Sequence, residues 1–563
     1  EATTSRSYTT VNTYDNGTYY VFVKDNSGNV SEGKEVVIDR VDKVAPSCTI
    51  RINPNGTKAA YKTLSIMSEE TNIDLNGYSW DHTESKADVI KVTENGVYTA
   101  HITDLAGNQG SCSGTVITLE PQDTSGANAP VLDTNMIAVY YDETEEVWKK
   151  ADSTNENPNY KWYDYDNKMW ANSVTVSATN RTTYLNANPG TEIPMDDILT
   201  MQVWIPRYKY KVWNYNENGT VTSEPQEIEI VFEEGTNSTG EIECTDTISG
   251  TSGAASETCQ INGTTCTDDT CNNKYYTHPA FTFGEEELEG FWIGKFELTG
   301  TIDSITTKPD LSSLRSQSVS TFATNIMEMN DSNNQYGLST TTDTHMIKNM
   351  EWGAVAYLSH SKYGTCDNGT CQEIGINNNS NYLTGCGAEA GSSETTTCNS
   401  YETELGSKSS TTGNIYGIYD MSGGAYEYTM GNIVGPNGTT MMSGNSISSN
   451  SGYTGIIYNE GKYSNYTGTY SYPNSKYYDK YSFGTSVSLK IKNKLGDSVK
   501  EILNTTSLGW YTDRSYFVYS RMPLLLRGGH LSNNINSGIF CSNVSAGISI
   551  DENSTRFIIT PEN

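Results

Sequence analysis

No stretch of the chain approaches the ~18 to 20 consecutive apolar residues of a membrane span, and its first residues carry no basic-then-apolar leader. The segment is therefore expected to be the mature part of a longer exported precursor, with no direct membrane span of its own. Basic residues are scarce as well: 36 Lys and Arg stand against 68 Asp and Glu, for a formal charge of -32. Such a field repels phosphate backbones and anionic lipid, which excludes nucleic acid as a partner. It favours divalent cations where loop carboxylates and carbonyls converge, so calcium stays open as a cofactor, although no EF-hand-like loop is present. The six histidines are scattered, and neither CxxC nor HExxH occurs, so no zinc pattern is present. Only 35% of residues are apolar and 18% charged; the 39 Tyr, with Asn, Ser, Thr and Gly, point to β-structure and long loops instead of helices.

At 563 residues the chain is long enough for roughly three to five folding units. Ten of its eleven cysteines fall into neighbouring pairs. Cys266 with Cys271 and Cys366 with Cys371 close short loops. Cys48 and Cys112 flank one β-module, while Cys244 with Cys259 and Cys386 with Cys398 bracket insertions rich in Gly, Ser and Thr. This usage belongs to an oxidising compartment and predicts an extracellular protein at a cell or virion surface. Cys541 is left over.

NGTYYVFVKDNSGN from Asn16 and NGVYTAHITDLAGN from Asn95 align without gaps, 79 residues apart. Each reads as an Asn-Gly turn, an alternating strand and an Asp-x-x-Gly-Asn turn into a last strand, the closing hairpin of a β-sandwich. These segments resemble the bacterial immunoglobulin-like repeats of surface proteins. The expected domains are a partial module over 1–43 and a complete sandwich over 44–120, opening at APSCTI. PQDTSGANAP then reads as a linker into an aromatic-rich β linker module over 121–195. There the alternation of Val139, Tyr141, Trp148, Trp162, Tyr163 and Trp170 reads as sheet packing before a sugar-stacking platform.

From about 196 five landmarks follow in order: ILTMQVWIPRYKYKVWN, GFWIGKFELTG, MEWGAVAYLSH, GNIYGIYDMSGGAYEYTMGN and LLLRGGHLSNNINSGIFC. Together they resemble formylglycine-generating-enzyme-like domains, which implies an α+β C-type-lectin fold over 196–563 and a multidomain chain of all-β sandwiches followed by that head. Met350, Val355 and Leu358 fit a helix, and Gly413, Gly417, Gly423 and Gly424 serve backbone geometry. In the catalytic members a copper-binding cysteine pair follows the RGGS-like strand. Asn533 stands where the first cysteine is expected, and a lone Cys541 cannot supply two soft ligands. His278, His345, His360 and His530 form no iron-ligand spacing. No catalytic residue is therefore assigned. Gly424 also stands where the family carries Asn, which removes a calcium-holding oxygen near Glu427.

The ending, about 508–557, resembles the variable region of C-type-lectin-fold receptors diversified by retroelements in phage tail and bacterial surface proteins. That resemblance implies a frame of Arg527, Gly528, Gly529, Gly538, Phe540, Arg556 and Phe557. Between these residues lie Arg521, Met522, Leu524, His530, Leu531, Ser532, Asn533, Ile535, Cys541 and Asn543, a mixture of apolar anchors and adaptable polar groups that suits a contact surface. The resulting expectation is an adhesin or receptor-binding protein whose partner is a host or microbial surface protein or glycan. Two alternatives stand beside it: a subunit of a pilus or surface filament, with other copies of itself as partners, and a metal-dependent oxidase.

Overall fold

The computed structural model describes residues 12–53, 62–81, 83, 85–92, 95–117, 125–219, 223–246, 257–388, 398–434, 457–459, 462–464, 474–482, 488–518, 522 and 524–561. The chain divides into two compact units, Glu1–Gln122 and Asp123–Asn563, and strands predominate in both.

In the first unit, Thr49–Asn53, Lys62–Met67 and Val89–Val92 form one antiparallel sheet, and Ser79–Trp80, Gly96–Thr103 and Gln109–Val116 form another. Side chains alternate along a strand, so Lys62–Met67 sends Leu64 and Ile66 to one face, where they meet Trp80, Ala100, Ile102 and Val116 of the other sheet. The shared core makes a small β-sandwich, tied by Cys48–Cys112. Ahead of it, Gly17–Val21 pairs with Lys34–Ile38 as a two-stranded ribbon. The repeated turn has one physical cause in both copies: Asp25 accepts the backbone N–H of Ser27 and Asn29, and Asp104 those of Ala106 and Asn108.

The second unit is built on a seven-stranded antiparallel sheet in the order Val147–Lys150, Ile137–Asp142, Asn172–Val176, Ile198–Pro206, Gly290–Gly294, Phe557–Thr560, Asp343–Met346. This corrects the expected boundary at 195/196. Asn172–Val176 is buried at every position and lies between strands on both sides, so 125–195 is an integral part of the second unit and no linker module. Trp162 stacks on Trp292 at 6.2 Å, and Tyr165 meets Phe232 edge-on at 5.4 Å. The aromatic run is core.

A second sheet joins Asp479–Ser482, Tyr426–Val434, Leu524–Arg527 and Ser542–Ser545, with Asn553–Thr555 alongside Tyr426–Val434. The helix Asn349–Ser359 is buried along its whole length and packs against Tyr426–Val434. Its Trp352 donates an indole N–H to the Ile539 carbonyl at 2.7 Å. The five expected disulfides form: Cys48–Cys112, Cys244–Cys259, Cys266–Cys271, Cys366–Cys371 and Cys386–Cys398. Among the described residues no helix is long and apolar enough to cross a membrane.

Candidate functional site

Leu524–Arg527 pairs on one side with Tyr426–Val434 and on the other with Ser542–Ser545, and its four side chains are buried. The chain then reverses through Gly528 and Gly529 at φ of 79° and 78°, a region that only glycine enters freely. A Cβ on Gly529 would lie 2.5 Å from Ser537 Oγ. Two buried arginines anchor the frame. Arg527 donates to Asn349 Oδ1 at 3.0 Å and to the Asp497 carbonyl at 3.0 Å. Arg556 holds both oxygens of Glu427 at 2.8 to 2.9 Å. Glu427 is thereby neutralised by a guanidinium, which leaves its oxygens unsuited to calcium.

The loop that follows is braced by a mixed ring of aromatic and polar groups. His530 stacks on Tyr426 with centroids 5.6 Å apart. Its Nδ1 accepts the Ser532 backbone N–H at 3.3 Å, so its proton sits on Nε2 and is donated to the Tyr382 hydroxyl. Burial pulls the imidazole below its ordinary value and keeps it neutral. Tyr426 donates to Asn533 Oδ1 at 2.5 Å and accepts from Asn543 Nδ2 at 3.1 Å, while Asn533 Oδ1 also takes the His530 backbone N–H at 3.0 Å. The Arg315 guanidinium lies 3.6 Å over the Tyr382 ring. Fixed rings and amides of this kind give a surface whose shape is set before a partner arrives.

The expected contact residues divide on this scaffold. Arg521 lies outside the described residues. Leu524, at 2% exposure, and Cys541, at 1%, are corrected from surface to core: both sit in or beside a strand that neighbours cover. His530, 6% exposed, is a positioning group instead of a contact. Met522, Leu531, Asn533 and Asn543 are half-buried, and Ser532 and Ile535 are exposed. Burial pushes the Cys541 thiol up to about 12. The sequence reading missed Tyr382, Tyr426 and Arg315. Tyr426 lies in the GGAYEY landmark and could have been found from strand pairing; Tyr382 and Arg315 carry no local signal.

Among the described residues, two clusters hold residue types that ligate metals: His360 with Cys366 and Cys371, and Glu257 with Cys244 and Cys259. In both, the sulfurs are bonded to each other and offer no thiolate.

No family model matches the chain, and no curated protein matches it. One solved structure, reported as the structural basis for the promiscuous specificity of carbohydrate-binding modules from the beta-sandwich superfamily, is matched at 13% identity over 32% of this chain and 70% of its own. The TM-score is 0.12, too slight a likeness to assign a fold.

Proposed function

We propose that the chain is an extracellular binding protein, an adhesin or receptor-binding protein, in which a β-sandwich stalk carries a head of C-type-lectin fold that grips a surface protein or glycan through the 528–545 loop. One observation carries the reading: the ring of Tyr382, Tyr426, His530, Asn533 and Asn543 is hydrogen-bonded throughout and presents Leu531, Ser532 and Ile535 outward. A rigid base under exposed small and apolar side chains is the composition of a contact surface. The cysteine chemistry of the related oxidases requires two thiols, and Cys541 is the one cysteine outside a disulfide. That chemistry favours binding over catalysis. The retroelement resemblance belongs to the same reading: a buried Arg-Gly-Gly frame tolerates exchange of the residues it displays.

The test is an array of host-surface proteins and glycans probed with the full chain and with Ile535→Ala and Leu531→Ala variants. Retention of the fold with binding weakened about tenfold or more is the expected result. Equal binding by all three would remove the loop from the function. The filament reading keeps one observation of its own, the uncovered apolar ribbon over Gly17–Val21 and Lys34–Ile38.

A further inference from the structure

Beneath the end of the same loop, the second unit forms a narrow, partly open cavity of about 10 Å3, room for one water-sized particle. Three oxygens lining it have no hydrogen-bond partner: Ser359 Oγ, Glu373 Oε1 and Asp513 Oδ1. Ser359 and Asp513 are each 1% exposed. Asp513 Oδ2 accepts the Phe540 N–H at 3.0 Å, which leaves Oδ1 for the cavity.

A fourth oxygen follows from the imidazole beside it. His360 Nδ1 lies 3.0 Å from the Gln226 carbonyl, which only accepts, so Nδ1 carries the proton. Nε2 is then a lone pair, and the Tyr511 hydroxyl donates to it at 2.9 Å. With its proton committed to His360, Tyr511 keeps its oxygen lone pairs for the cavity it lines. Burial holds His360 down to about 4, so this arrangement is neutral.

The field inside asks for positive charge. Ser359 is the last residue of the helix Asn349–Ser359, whose carbonyl end is the negative pole of its dipole. Arg527, whose charge reaches Asp513, donates from its two terminal nitrogens to Asn349, Asp497 and Ser498 and leaves only Nε unpartnered.

We propose that this cavity binds a single hard divalent cation of the calcium class, held by the Asp513 and Glu373 carboxylates with Ser359 and Tyr511 as neutral oxygen donors. The donor set is all oxygen, because both His360 nitrogens are engaged and the neighbouring Cys366 and Cys371 are bonded to each other. A set that mixes carboxylate with hydroxyl oxygens suits calcium, which accepts varied oxygen coordination, better than magnesium with its octahedral demand. The ion would brace the loop from below. Asp513 holds the Phe540 N–H, and its carboxylate sits against Gly538 so closely that a Cβ there would approach it to 2.1 Å. The inference stands on the cavity alone and not on the ligand-binding reading.

The experiment is calcium titration of the EDTA-treated full chain by calorimetry, with a thermal melt at each concentration. The expected result is one calcium per chain above the diffuse binding of an acidic surface, and a melting temperature that climbs with calcium concentration. Asp513→Asn and Glu373→Gln should each weaken that site about tenfold or more. Should Asp513→Asn fail to fold, Glu373→Gln at the half-buried rim decides. Identical calcium binding in wild type and the folded variants would reduce the effect to surface charge and overturn the proposal. A melt unmoved by millimolar calcium would also overturn it, and would mean that the cavity holds water or a shared proton. Neither outcome bears on whether the loop binds its partner, which the array measures separately.

Discussion

Cys541 shows how far a single residue can be read from a sequence. As the odd cysteine it was separable from ten others that pair by proximity, and those pairs form as spacing suggested. Its neighbourhood was not legible, since a mixture of Leu, His, Asn and Cys on Gly-bounded turns does not say which side faces in. The structure puts Leu524 and Cys541 inward because Leu524–Arg527 is covered along both edges. A thiol in that position, with burial holding it protonated up to about 12, is chemically silent. Native protein treated with a thiol reagent at pH 8 should therefore show no labelling over the time in which the denatured chain gains one label. Fast native labelling would place Cys541 at the surface after all.

Elements differ in what they disclose. The helix over Met350 to His360 was visible from its apolar spacing, and the structure places it at Asn349–Ser359. The aromatic segment was read correctly as packing but wrongly as a separate module. Alternation within a segment does not reveal which distant strand it will join, and Ile198–Pro206 is such a partner. Trp162→Ala should cost about 3 to 5 kcal/mol of head stability in chemical denaturation, because the indole fills core against Trp292. A fragment starting at 196 would lack three strands of the sheet and should be insoluble or unfolded, whereas one starting at 123 should fold.

A second element-level prediction concerns the joint between the strand Asp343–Met346 and the helix that follows. His345 bridges Asp343 and Glu351, each at 3.0 Å, with Phe283 stacked on its ring and Lys348 and Lys476 beside the two carboxylates. Burial disfavours its charge, yet the Glu351 charge and the hydrogen bonds that the ring donates to both carboxylates outweigh it and raise His345 above its ordinary value. The same contacts lower Asp343 and Glu351 against their own burial. The imidazolium therefore adds stability below the ordinary histidine range, and that stability is lost as pH rises through the raised value. The carboxylates add stability above their ordinary range and lose it in acid. Melting temperature should peak at about pH 5 to 6.5 for this joint, and His345→Gln should flatten the alkaline limb while lowering stability by about 3 to 5 kcal/mol.

Across the whole molecule, the two repeat copies offer a controlled comparison. Val21, Val23 and Val37 of the ribbon occupy the places of Ala100, Ile102 and Val116 in the sandwich. The first three are 55%, 68% and 57% exposed, and the second three no more than 1%. Equal sequence thus has unequal support: among the described residues, only the second hairpin faces strands that cover it. A lone two-stranded ribbon is marginal in water, so Val23→Ser should leave the melt unchanged, whereas Ile102→Ser should unfold the sandwich. Amide exchange separates the stalk and filament readings. In dilute protein, residues 17–38 should exchange far faster than 96–116. If copies assemble through the ribbon, its protection should rise with concentration, and more so at high salt, because screening relieves the repulsion between chains of charge -32. Protection that stays low at every concentration and salt would leave the ribbon without a role in self-assembly.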